Sequence, residues 1–123
     1  MSDKPLVEPF LGPATDVLII EEIVVGSGDE AQQGHTAVVH YVGVAASNGE
    51  EFDASWNRGE SFSFPLGGGY VIAGWDQGVV GMKVGGRRRL VIPAHLGYGD
   101  RGAGGVIAPG ETLIFVVDLL ELR

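Results

Sequence analysis

Apolar positions recur at a spacing of two through most of the chain, which is the spacing of half-buried strands. SFSFPL (61–66) puts Phe62, Phe64 and Leu66 on one face, and TLIFVVDLLELR (112–123) does the same with Leu113, Phe115, Val117 and Leu119. VLIIEEIVV (17–25), TAVVHYVGVA (36–45) and RRRLVIP (87–93) are further strand candidates, rich in β-branched residues. Asn48-Gly49, ahead of EEFDAS, signals a hairpin, because that dipeptide accepts the positive φ angles of a tight turn. Only VIAGWDQGVVGM (71–82) carries the 3–4 spacing of a helix, with Ile72, Trp75 and Val79 in one stripe. Its internal glycines make it a poor free-standing helix, so packing on the sheet has to hold it. The expected fold class is α+β: one antiparallel sheet with one short helix laid on its apolar face. Residues 1–16 hold three of the six prolines and read as a leader with a disordered tip, followed by a domain over 17–123.

Composition narrows the function classes. A length of 123 residues is one domain with a real core, and 21 glycines point to tight turns and close backbone approach. The net charge of −8 disfavours a nucleic-acid partner. Arg87, Arg88 and Arg89 alternate faces on one strand and so form no single basic patch; a solvated strand edge is expected there. Without cysteine, neither disulfides nor thiolate chemistry operate. The first residues have no apolar core of a secretory signal, and no run approaches the length of a membrane span. A cytoplasmic protein without membrane contact is expected, and a monomer.

GYGDRG (97–102) fits G-x-G-x-x-G, but GAGGVIAPG follows it, where a dinucleotide site needs a helix. The GGG of 67–69 lacks the Lys-Ser/Thr of a phosphate loop. His35, His40 and His95 have no metal-ligand spacing, so neither metal nor cofactor is expected; His40 shares a strand face with Val38 and Val42 and reads as a hydrogen-bonded core histidine. The paired carboxylates at 21–22, 29–30 and 50–51 read as solvated charge. No nucleophile–base pair suggests covalent catalysis. What remains is aromatic: Tyr41, Phe52, Phe62, Phe64, Trp75, Tyr98 and Phe115 come from nearly every element. Phe64 reads as plain core, whereas Tyr41, Trp75 and Tyr98 carry polar groups that need partners. Tyr98 sits in a glycine-rich loop, where binding residues concentrate. Asp53, among aromatics, needs a cation or donors; Arg58 and Tyr41 are its candidates, in a structural or a ligand-facing role.

VVHYVG (38–43), FDASWNRG (52–59), FPLGGGYVIAGWDQGVVGMKVGGRRRLVIP (64–93), and YG (98–99) followed by GVIAPGETLIFVVDLLEL (105–122) resemble the FK506-binding proteins, from about residue 17 to the end. The resemblance implies a sheet of five or six strands curled around the helix. It also implies a peptidyl-prolyl cis-trans isomerase that takes proline-containing peptides, folding polypeptides and FK506/rapamycin-type macrolides. By the same resemblance the prolyl or pipecolyl ring sits on Trp75, walled by Tyr41, Phe62 and Phe115, with Val71 and Ile72 at the helix start. The Ile72 amide and the Tyr98 hydroxyl donate to ligand carbonyls, Phe52, Asp53 and Ile107 complete the pocket, and Arg58 partners the aspartate. Trp75, Tyr98 and Asp53 are thereby the expected catalytic residues. The chain departs from many eukaryotic members after Tyr98, where Ala103-Gly104 stands in place of His-Pro, and a looser, less aromatic rim is expected. A non-catalytic module holding a proline segment or macrolide in the same pocket is the rival reading. A holding chaperone is a third, though it calls for an apolar domain this chain has little room for.

Overall fold

The computed structural model describes residues 4–7, 16–103 and 107–123. Six strands form one antiparallel sheet: β1 Ile19–Val24, β2 Thr36–Ala45, β3 Glu51–Ala54, β4 Phe62–Pro65, β5 Arg87–Ile92 and β6 Leu113–Leu122. The order is β1-β5-β6-β2-β3, and β4 also pairs with β2. The one α-helix among the described residues, α1 Ala73–Val79, crosses the concave face and is shorter than the twelve-residue pattern that announced it.

The ten-residue β2 is the keystone. Its first half pairs with β4 from Thr36 to Val39, its second half with β3 from Val42 to Val44. Tyr41 therefore lies at the gap between two partner strands, where the ladder on that edge is interrupted. Fully buried Ser55, at the start of the 3-10 turn Ser55–Arg58, fills the gap by accepting the Tyr41 backbone N–H at 2.7 Å. Without it that buried amide would have no partner, a cost of ~1–3 kcal/mol. The expected hairpin at Asn48-Gly49 is present, closed by Gly49 N–H to the Ala45 carbonyl at 2.8 Å.

The concave face holds the core: Ala37, Val39 and Tyr41 of β2, Leu90 and Ile92 of β5, and Leu113, Phe115, Val117 and Leu119 of β6, with Trp75 and Val79 of α1 packed on them. The helix glycines are explained by this packing. A Cβ on Gly74 would come within 2.6 Å of Ile92, and one on Gly78 within 2.8 Å of Leu90. Four residues apart on one helical face, these glycines bring α1 closer to β5 than any side chain permits, and the contact offsets their poor helix propensity.

Two expectations are corrected. The arginines do alternate faces, but β5 lies between β1 and β6, so they do not sit on a solvated edge. Arg87 forms a two-pronged ion pair with fully buried Asp118, at 2.5 and 3.0 Å. Arg88 donates to the Gly78 and Val80 carbonyls at 2.9 and 2.8 Å, capping the C-terminus of α1, and pairs with Glu22; Arg89 pairs with Glu21. His40 is hydrogen-bonded as expected, with Nδ1 2.8 Å from the Ser55 hydroxyl, but it belongs to the convex face, half-buried and stacked on Trp56 at 4.2 Å. Of the leader, residues 4–7 and Asp16 are described; Lys4 pairs with Glu51 at 2.7 Å and donates to Asn57 at 2.9 Å.

Candidate active site

Where α1 meets the open side of the curled sheet, a cavity of about 200 Å³ remains. Trp75 forms its floor. Its ring is held by edge-on or tilted contacts with Tyr41, Phe115, Phe64 and Phe62 at centroid distances of 4.9, 5.3, 5.5 and 6.0 Å. Each such pair contributes ~0.5–1.5 kcal/mol beyond its buried area. The buried indole N–H has no hydrogen-bond partner among the described residues, so shape alone fixes the ring. Phe62, on the strand β4 that also buries Phe64, and Phe52, edge-on to Phe115 at 5.5 Å, complete the aromatic walls.

Among the described residues Asp53 of β3 is the one carboxylate lining the cavity, and it is not free. The Tyr41 hydroxyl donates to its Oδ2 at 2.5 Å and Arg58 Nη1 to its Oδ1 at 2.7 Å, while Arg58 Nη2 donates to the Tyr41 oxygen at 2.9 Å. Both partners named as alternatives from the sequence are thus engaged at once. Partial burial works to raise the Asp53 carboxyl, but the hydrogen bonds from Tyr41 and Arg58, with the arginine's charge, outweigh it and hold the group below its ordinary value. Burial and the bond to Asp53 raise the Tyr41 phenol, and burial followed by the Asp53 charge raises Tyr98. Near neutral pH Asp53 is therefore an anion, and the phenols of Tyr41 and Tyr98 are neutral.

The Ile72 amide and the Tyr98 hydroxyl are open donors at the cavity. Ile72 is the residue preceding the first turn of α1, so its N–H lies outside the helix ladder, while its carbonyl accepts from Trp75 and Asp76. No described residue accepts a hydrogen bond from the Ile72 amide or from the hydroxyl of Tyr98, which is 41% exposed at the rim. Val71 lies beside Ile72 in the wall.

Two of the expected residues stand apart from the cavity surface. Arg58 lies behind Asp53, and Ile107 is buried in the core beneath the rim. Ile107 exchanges two 3.0 Å backbone hydrogen bonds with Ala103, closing the base of the rim loop; Gly104, the other half of the Ala103-Gly104 departure, lies outside the described residues. Tyr70, which the sequence reading passed over, lines the mouth. Like Tyr98 it is a bulky aromatic beside glycines with no strand or helix to serve, and that signal is legible in GGGY. Among the described residues no cluster of side chains suits a metal ion, and no helix is long and apolar enough to cross a membrane.

The described residues thus form an antiparallel sheet curled round a short helix, with an aromatic cup on the helix tryptophan and open hydrogen-bond donors at its mouth. Residues 28–120 match the family model of the FKBP-type peptidyl-prolyl cis-trans isomerases. An FK506-binding protein of Streptomyces anulatus is 67% identical over 122 residues, covering 98% of each chain, and a probable FK506-binding protein of Corynebacterium glutamicum is 51% identical over 97% of this chain and 98% of its own. The crystal structure of AtFKBP13 superposes with a TM-score of 0.80 at 42% identity, covering 86% of this chain and 93% of that one. FkpA from Escherichia coli gives 0.79 at 36%, covering 99% and 54%. The chain belongs to the FKBP-type peptidyl-prolyl cis-trans isomerases.

Proposed function

We propose that the cup accelerates X-Pro bond rotation without covalent or acid–base chemistry, and that it binds FK506/rapamycin-type macrolides in the same place. Trp75 is the platform for the prolyl ring, with Tyr41, Phe62 and Phe115 around it. The Tyr98 hydroxyl and the Ile72 amide donate to the carbonyls on either side of the ring. Asp53 contributes electrostatically beside the amide that twists. The observation that carries this reading is the pairing of an aromatic floor with a carboxylate whose two oxygens are both already held. Such a carboxylate is poorly placed to exchange a proton, and the reaction needs no exchange.

Rotation about a peptide bond meets a barrier of ~18–20 kcal/mol because amide resonance must be broken. The planar amide is the more charge-separated state, so an apolar cup disfavours it relative to the twisted one. Catalysis follows from tighter binding of the twisted form. A thousand-fold acceleration corresponds to about 4 kcal/mol, which ring packing and one or two hydrogen bonds supply in magnitude. Residues 17–123 are on this reading the isomerase unit, acting as a cytoplasmic monomer on proline-containing peptides and folding polypeptides.

The test is the cis-to-trans relaxation of a short Leu-Pro peptide with and without the protein, repeated with stoichiometric macrolide. Acceleration abolished by the macrolide is expected. Tight macrolide binding without acceleration would instead make the chain a binding module with a formed pocket.

A further inference from the structure

The glycine-rich turn between β4 and α1 ends in Tyr70, a residue the mechanism leaves unused. We propose that Tyr70 is a specificity-determining residue that favours substrates with a bulky apolar or aromatic side chain immediately after the proline. The inference rests on the reading of the cup as a proline site.

Three glycines in a row would ordinarily make a floppy support, but here the turn is tied to the helix. The Asp76 carboxylate in the first turn of α1 accepts the N–H groups of Gly67 and Gly69, at 2.8 and 3.0 Å. Both glycines have φ in the left-handed region, +84° and +76°, so the turn takes a path that other residues resist. The Tyr70 ring lies back against this turn: a Cβ on Gly68 would come within 2.8 Å of its Cδ2 and Cε2. Gly68 thus makes room for the ring, which remains 74% exposed while lining the cavity mouth. An aromatic ring backed by an anchored turn and open elsewhere is a ready surface for a second side chain, at little cost in ordering entropy.

The two ends of the cup decide which side chain that is. On the proposed reading, Asp53 and Tyr98, both lining the cup, face the twisting amide and hence the residue before the proline. The proline's own carbonyl then meets the open Ile72 amide at the helix start. Chain leaving the ring in that direction passes the wall formed by Tyr70, two residues ahead of Ile72. An aromatic ring there gains from stacking or apolar contact with a large side chain and gains nothing from glycine.

The experiment compares kcat/KM for peptides that share Leu-Pro and differ in the next residue, Phe, Leu or Gly, using the wild-type chain, Tyr70→Ala and Tyr70→Phe. The wild type is expected to favour Phe over Gly by about three- to tenfold. Tyr70→Ala is expected to bring that ratio close to one, mainly through KM, since the contact is made equally in ground and transition states. Tyr70→Phe should keep the ratio, because the ring and not the hydroxyl makes the contact. A wild-type ratio of one or less, or a ratio unchanged in Tyr70→Ala, overturns the inference while leaving the proline site intact. If the wild type accelerates none of the peptides, the reading of the cup fails and this inference with it.

Discussion

Replacing Asp53 by leucine removes the carboxylate on which Tyr41 and Arg58 converge, and the geometry sets how its effects divide. The Arg58–Asp53 pair has side chains 47% and 43% exposed, and such pairs contribute only ~0–1 kcal/mol. The Tyr41 hydroxyl keeps Arg58 as a donor, so one phenolic hydrogen bond of roughly 1 kcal/mol is lost. Arg58 retains access to water, and no charge is stranded in the interior. The stability cost should therefore be about 1–2 kcal/mol. Catalysis should suffer more, by over tenfold in kcat/KM, since a carboxylate acting on the twisting amide is worth at least ~1.4 kcal/mol there. Asp53→Asn separates charge from shape, because its amide oxygen still accepts from Tyr41. Urea unfolding and catalysed relaxation of a Leu-Pro peptide, measured on both variants, resolve the two effects. Turnover within about twofold of wild type in both, alongside a lowered unfolding midpoint, would make Asp53 a structural residue and refute its assigned role.

Further outcomes follow from other parts of the site. Tyr98→Phe removes a hydroxyl that no described residue engages, so stability should be unchanged while macrolide affinity, read by calorimetry, falls by about five- to tenfold; equal affinity would take away its role as donor. Gly74→Ala places a methyl within 2.6 to 2.8 Å of three atoms of fully buried Ile92. Overpacking of ~1–3 kcal/mol, less up to ~1 kcal/mol of regained helix propensity, should leave it net destabilised in urea unfolding. A stabilised variant would show that α1 can move away from β5 freely.

Strand faces and the helix stripe were legible because periodicity reports which side of an element is buried. The neighbours of a strand were not. RRRLVIP alternates as expected, yet nothing within it says that β1 flanks it, that Asp118 waits across from Arg87, or that Arg88 caps a helix eight to ten residues earlier in the chain. Glycine in α1 looked like weakness and is contact, because the benefit lies in Leu90 and Ile92 of another element. His40 shows the same limit: alternation put it with Val38 and Val42 but could not say which face of the sheet that was. At the site, Tyr41, Trp75 and Tyr98 stood out because each carries a polar group that needs a partner. Tyr98 stood out also because its loop has no strand or helix to serve, and Arg58 followed from a carboxylate, Asp53, that needed a cation. Tyr70 obeyed the same logic and was missed because the glycines before it were weighed only as a phosphate loop.

Rotation without proton transfer should leave no enzyme ionisation in the pH profile of kcat/KM for catalysed Leu-Pro relaxation. The Asp53 pKa is lowered, so its charged form and the stability it contributes persist above ~pH 3.9 and are lost only as pH falls through the folded value. Tyr41 and Tyr98 are raised, so they stay neutral through ~pH 10 and their contribution fades only above it. A flat profile is expected between about pH 5 and 9. A limb inside that window would mean that a titrating group takes part in the reaction, and the mechanism would be wrong.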